Sequence, residues 1–354
     1  MITQAQGNLL EAEVDALVNT VNTVGVMGKG IALQFKRAYP EMFKSYARAA
    51  KSHSLELGRM HMWPTGLLTG PRFIINFPTK GHWRSTSKLA DIERGLNDLV
   101  RVIQEYSIRS IAVPPLGCGN GGLDWSIVEP LIRRKLQPLT DVDVLLYPPE
   151  GAPAAANMPT AEVRPEMTPA RAALIELMAR YARHAVGDPS LIETQKLSYF
   201  LQVAGEPLKL EFVDHIYGPY ADNLRHALRG IEGHYVSGFG DGATPVQEVE
   251  PLVLLPGAEA AAQLVLIEHP DTEERIKRVM QLVQGFESAY ALELLATVHW
   301  VIEHDVEHGG LDEVVAAVQS WSPRKGRMFS PEHIAVAREA LRDRGWISAL
   351  AESR

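Results

Sequence analysis

Cysteine is nearly absent: the 354 residues contain one, Cys118. A single thiol makes neither an intramolecular disulfide nor a cysteine-rich zinc site, so a reducing compartment is expected, the cytoplasm being the simplest. Long hydrophobic runs are missing too, and nothing approaches the roughly 18 consecutive apolar residues of a spanning helix. The N-terminal MITQAQGNLLEAEVDAL has neither a basic start nor an apolar centre and does not read as a secretory signal. What remains, 46% hydrophobic and 22% charged residues, is the composition of a folded globular chain long enough for two domains.

The net charge of -8 is unevenly shared. Residues 1–150 hold 17 Lys and Arg against 14 Asp and Glu, net +3, which leaves 18 against 29, net -11, for residues 151–354. An acidic half is a poor partner for nucleic acid but suits a basic protein; surplus acid also serves solubility. The boundary is written in composition, because residues 148–169 carry six prolines and no apolar period.

Before that boundary, β-branched runs alternate with helical periodicity: DALVNTV (15–21), a helix from about Gly28 to Ala50, the extended RMHMWP and RFIINFP, then a helix with Leu89, Ile92, Leu96, Leu99 and Ile103 on one face. SIAVPPL (110–116), a helix from Trp125 to Leu136 and VDVLLYP (142–148) follow. This alternation predicts a largely parallel or mixed sheet between helices. Beyond the boundary the pattern is mostly helical. Thr168-Pro169, a Ser190/Glu193 capping box closed by Gly205, Asp271 with Glu274, and Ser330-Pro331 mark helix ends, while 246–256 and 262–270 read as a small strand pair.

Two glycine-rich loops, Gly25-Val26-Met27-Gly28-Lys29-Gly30 and Gly117-Cys118-Gly119-Asn120-Gly121-Gly122, each stand between an expected strand and a helix. Backbone N–H groups and a helix N-terminus can hold a phosphate there, and two such loops can clasp a diphosphate. A P-loop is excluded: Thr23 stands where its first glycine belongs, and Gly30 follows Lys29 where a hydroxyl is needed. His304-Asp305-Val306-Glu307-His308 matches the inverted zinc-protease pattern, but nothing else in that acidic half supports it, and no metal is expected.

Gly7-Asn8-Leu9, VDALVNTVNTVGVMGKGIALQFK, INFPTKGHW and PLGCGNGGLDW, in this order, resemble a macrodomain, the fold that binds ADP-ribose. Lys80 with His82 and Trp83 is similar to the corresponding stretch of the DNA ADP-ribosyl glycohydrolases that serve as antitoxins. KLSYFLQVAGEPL and HIYGPYADNLRHAL resemble a helical antitoxin domain of the Panacea or SocA-like kind. The resemblance implies a three-layer α/β/α macrodomain over 1–150, a Pro-rich linker over 151–168, and a mostly helical toxin-binding domain over 169–354. It also implies an enzyme that removes ADP-ribose from thymidine in single-stranded DNA, whose partner is a cognate DNA ADP-ribosyltransferase toxin of the DarT kind, with no cofactor and no membrane. A non-catalytic ADP-ribose reader, or a hydrolase of protein-linked or acetylated ADP-ribose, stays open as an alternative.

By the same resemblance, Gly7, Asn8 and Leu9 would meet adenine, with Tyr147 as an aromatic wall, and Asn22 would reach the distal ribose. Gly25, Val26, Met27, Gly28, Lys29, Gly30, Ile31 and Ala32 would hold one phosphate. Pro115, Leu116, Gly117, Cys118, Gly119, Asn120, Gly121 and Gly122 would hold the other, with Thr79 beside them. Lys80 would be the nucleophile, forming a Schiff base with the opened sugar once Arg84 or desolvation under Trp83 lowers its pKa. The acid/base partner is open: Asn120-Gly121 replaces the Asp of a lysine-dependent relative, Asp124 reads equally as a helix cap, and His82 is a further candidate.

Overall fold

The computed structural model describes residues 1–67, 69–149, 153–242, 244–306 and 310–347. Two compact units are present, one built on Met1–Val163 and the other on residues from Arg164 onward.

The first unit has six strands: β1 (Ile2–Gln4), β2 (Ala16–Asn22), β3 (His61–Pro64), β4 (Phe73–Lys80), β5 (Ser110–Val113) and β6 (Asp143–Leu146). Their order is β1-β6-β5-β2-β4-β3, with every pair parallel except β3 with β4. Four α-helices accompany them, α1 (Gly30–Ala38), α2 (Pro40–Lys51), α3 (Leu89–Glu105) and α4 (Trp125–Leu136). Strand alternation explains the layers. Ala16 and Val18 of β2 join Ile92, Leu96, Leu99, Val128 and Ile132 on one face; Leu17 and Val21 join Phe35, Met42 and Tyr46 on the other. The result is the α/β/α sandwich of a macrodomain, with β2 in the interior of the sheet and the C-terminal ends of β2 and β4 side by side.

Several sequence expectations shift. The helix expected over Gly28–Ala50 is two helices, because Pro40 has no N–H to continue α1 and instead opens α2 at its first position. Pro114-Pro115 stops β5 at Val113 for the same reason. The Pro-rich stretch is not free throughout: Ala161 N–H donates to Arg37 O (2.8 Å) and Asn8 Nδ2 to Asn157 O (2.8 Å), so residues 153–163 pack on the first unit.

The second unit comprises α5 (Pro169–Ala182), α6 (Leu191–Val203), α7 (Leu224–Ile231), the short pair β7 (Val236–Ser237) and β8 (Val253–Leu254), then α8 (Ala258–Leu266), α9 (Pro270–Val283), α10 (Ala289–His304), α11 (Leu311–Ser320), α12 (Pro323–Met328) and α13 (Pro331–Asp343). Thr168 and Ser330 cap α5 and α13, and Ser190 with Glu193 forms the capping box of α6. The strand pair expected over 246–256 and 262–270 is corrected: β8 pairs antiparallel with β7, and the Ala-rich AEAAAQLVL is helical, as its propensity favours. The helix start read at Asp271 lies one residue earlier, at Pro270. α10 is buried nearly all round and packs against α6, α11 and α13.

Candidate active site

The site is assembled where β2 and β4 end. Loop 1 leaves β2 at Asn22, whose side chain is turned into the loop: Oδ1 accepts from Val24 N (3.1 Å) and Val26 N (3.3 Å), and Nδ2 donates to Val26 O (2.6 Å). Tyr46 of α2 donates its hydroxyl to Asn22 O at 2.6 Å, and burial raises the pKa of this phenol well above its usual value. In this arrangement Asn22 shapes the loop backbone, a different task from the direct ribose contact expected of it. Met27 is buried, whereas Val26 and Lys29 are exposed. Lys29 gives α1 no side-chain cap, so the first N–H groups of Gly30, Ile31 and Ala32 lack that partner.

Loop 2 follows β5. Cys118 N donates to Pro115 O (3.1 Å), Gly122 N to Gly119 O (3.0 Å) and Leu123 N to Gly117 O (3.0 Å), winding Gly117–Gly122 into consecutive tight turns. Gly121 is required by space: a Cβ there would lie 2.3 Å from both Gly117 O and Ser87 Oγ. Leu116 is buried under the loop, and Gly119 and Asn120 are exposed at its crest. Loops 1 and 2 meet at Gly30, whose left-handed φ of +59° and missing Cβ admit Asn120; a methyl group would stand 3.3 Å from Asn120 Nδ2.

Lys80 is the last residue of β4, and its Nζ donates to Asn120 O at 2.8 Å. Partial burial lowers its pKa. Arg84 is not the cause: its guanidinium lies over the Trp83 ring, 4.4 Å from the centroid. Thr79, just before Lys80, is buried and donates to Val21 O (3.3 Å). Lys80, loop 1 and loop 2 thus converge on Asn120.

Gly7, Asn8, Leu9 and Tyr147 lie just beyond the C-terminal ends of the paired strands β1 and β6. Asn8 caps the turn Leu9–Glu11 through Oδ1 to Leu10 N (3.0 Å) while its amide holds Asn157 O. Leu9, Leu10 and Tyr147 share one apolar cluster, and burial together with Glu11 raises the Tyr147 pKa. The remaining candidates take part in local contacts. Asp124 caps α4 through Ser126 N (2.9 Å). His82 Nδ1 accepts from Arg84 N (3.2 Å), a turn contact. The Cys118 thiol is pushed up to about 11, by burial first and Asp124 second, and is a poor nucleophile at neutral pH. His304 stacks on Trp300, ring centroids 4.0 Å apart; Glu307 and His308 lie outside the described residues. Among the described residues no group of three or more His, Cys, Asp or Glu is placed to hold a metal ion.

Three contributors escaped the sequence reading: Tyr46, Thr23 and Ser87. Thr23 ties loop 1 to the β4 exit through Oγ1 to Gly81 O (2.8 Å), and Ser87 N–H donates to Gly121 O (2.9 Å). Ser and Thr at element ends carry no distinctive spacing, so only Tyr46 had a signal, as the one polar aromatic on the buried face of α2.

A macro domain family model matches residues 18–132. The chain is 47% identical over 348 residues to the DNA ADP-ribosyl glycohydrolase of Thermus aquaticus, covering 98% of this chain and 94% of that one. It is 45% identical over 355 residues to the protein of that name from Mycobacterium tuberculosis, covering 96% and 99%. A DNA ADP-ribosyl transferase-DNA ADP-ribosyl glycohydrolase fusion protein of Thermosipho africanus is 35% identical over 163 residues, 42% of each chain. With that likeness running through both units, the chain belongs to the family of DNA ADP-ribosyl glycohydrolases.

Proposed function

We propose that the first unit removes ADP-ribose from thymidine in single-stranded DNA, with Lys80 as nucleophile. The observation that carries this is the convergence of the Lys80 amine with both glycine loops on Asn120. Loop 1 with the uncapped start of α1, and loop 2 through backbone N–H groups other than the three that close its turns, offer donors to the two phosphates. Gly7, Asn8, Leu9 and Tyr147 form the adenine end, and the distal ribose comes to lie at Lys80. The neutral amine attacks the anomeric carbon, and the bond to thymine breaks with its electron pair and a proton going to the base. The opened sugar is held as an imine, which water hydrolyses to free ADP-ribose and the amine. Partial burial raises the share of neutral amine.

Lys80→Ala is expected to lose release of ADP-ribose from a modified single-stranded oligonucleotide by orders of magnitude, while calorimetry shows ADP-ribose affinity within about tenfold of wild type. Turnover like wild type would overturn the mechanism, and absence of binding at millimolar ADP-ribose would overturn the site.

The second unit, on this proposal, binds and restrains the DNA ADP-ribosyltransferase toxin. Its support is the net charge of -11 beyond residue 150, suited to the basic groove of a DNA-modifying enzyme, and the joining of transferase and glycohydrolase in the Thermosipho africanus fusion protein. The full chain carrying Lys80→Ala should therefore still protect cells expressing active toxin, through a complex whose association slows as salt rises. Loss of protection with that variant, and no complex at low salt, would remove the partner.

A further inference from the structure

The loop between Lys80 and Ser87 presents planar groups with no task in the chemistry above. His82, Trp83 and Arg84 are all exposed, Trp83 at 46%. The imidazole stacks on the indole (ring centroids 5.3 Å, interplanar angle 29°), and the guanidinium covers the indole at 4.4 Å. Exposed single aromatics are common, but this one is held in place. Its loop is tied at one end by Thr23 to Gly81 O and at the other by Ser87 to Gly121 O, and Ser85 N–H closes a turn onto His82 O at 3.0 Å. Both anchors belong to the loops that meet Lys80. Three residues of chain reach at most about 11 Å, so the Trp83 Cα lies within about that distance of the Lys80 Cα. Lys88, also exposed, adds positive charge just beyond the loop, at the start of α3.

From this we infer that His82-Trp83-Arg84 is a stacking platform for the DNA strand, a proposal that rests on the glycohydrolase reading of the first unit. A base beside the modified thymidine takes the indole face, and Arg84, released from that face, pairs with the adjoining phosphate. An aromatic plane flanked by cations is how single strands are held without sequence preference. Trp83 is thus a positioning residue that favours a modified strand over a modified nucleoside.

Two substrates separate this from general damage to the site: an oligonucleotide with one internal ADP-ribosyl-thymidine, and the ADP-ribosyl-thymidine nucleoside alone. Trp83→Ala should lower kcat/KM on the oligonucleotide about ten- to hundredfold, through KM, and at least tenfold more than on the nucleoside. Trp83→Phe should recover most of the loss. Arg84→Gln should flatten the salt dependence of the oligonucleotide KM by about 0.7 in logarithmic slope, the share of one phosphate contact. Equal losses on both substrates, or none on either, would overturn the platform. If wild type cleaves neither substrate, the glycohydrolase reading fails instead. The platform then stands or falls on fluorescence anisotropy with an unmodified single-stranded oligonucleotide: weaker binding by Trp83→Ala supports it, and unchanged binding overturns it.

Discussion

At the scale of single residues, the site depends on one amine and on amides that hold backbone for it. The Lys80 amine donates to Asn120 O, and partial burial is what lowers its pKa. On the proposed mechanism, in which the neutral amine attacks, the rate of sugar release should fall as pH drops and rise through the Lys80 pKa, with the inflection below the ordinary lysine value of 10.5. A pH–rate profile of the chemical step under single turnover checks this; a flat profile between pH 6 and about 10 would deny Lys80 the role. Lys80 was legible in the sequence through the PTKGHW stretch. The use of Asn22 was not, since an amide side chain has four hydrogen-bonding options and only the folded loop selects among them.

At the scale of elements, α3 shows how closely the layers must fit behind the site. Its apolar stripe lies on the sheet, and Gly95 sits so near Phe77 of β4 that a Cβ would be 2.3 Å from the ring. Gly95→Ala therefore forces helix or strand to move, and should destabilise the first unit by about 1–3 kcal/mol despite the better helix propensity of alanine. Denaturant titration of wild type and variant measures it, and a variant at least as stable as wild type would show that the layers yield freely. The stripe from Ile92 to Ile103 was readable from spacings of three and four, although Leu89, expected on the same face, is exposed; the caps at Thr168, Ser190 and Ser330 were readable too. The division at Pro40 and the helix α8 were misread because apolar period alone does not separate one helix from two, or a short helix from a strand.

At the scale of the whole molecule, the second unit carries buried charge that links its stability to pH. Lys196 is fully buried, donates to Pro219 O at 2.5 Å, and has its pKa pushed down to about 7 by burial, with Lys325 lowering it further and Glu293 opposing. The unfolded chain then binds more protons than the native one between about pH 7 and 10.5, so this group makes stability rise with pH across that window and adds no slope below it. His299, buried and pushed down to about 4, acts in the same direction between about 4 and 6.5. Lys196→Met should flatten the rise above pH 7, worth on the order of 1.4 kcal/mol per pH unit, and leave the acid side intact; thermal unfolding of the full chain against pH tests it.

Family membership, the two glycine loops, the alternation of strands and helices in the first unit and the candidacy of Lys80 were legible in the sequence alone, because motifs, turns and periodicity are properties of neighbours in the chain. Tertiary structure decided what depends on residues far apart: the meeting of Gly30, Asn120 and Lys80, the clamp of Tyr46 on Asn22, and the anchoring of residues 153–163 at Asn8 and Arg37. Those contacts follow from sheet order and strand register, which bring β2, β4 and β5 together, and no local pattern specifies which strand becomes whose neighbour.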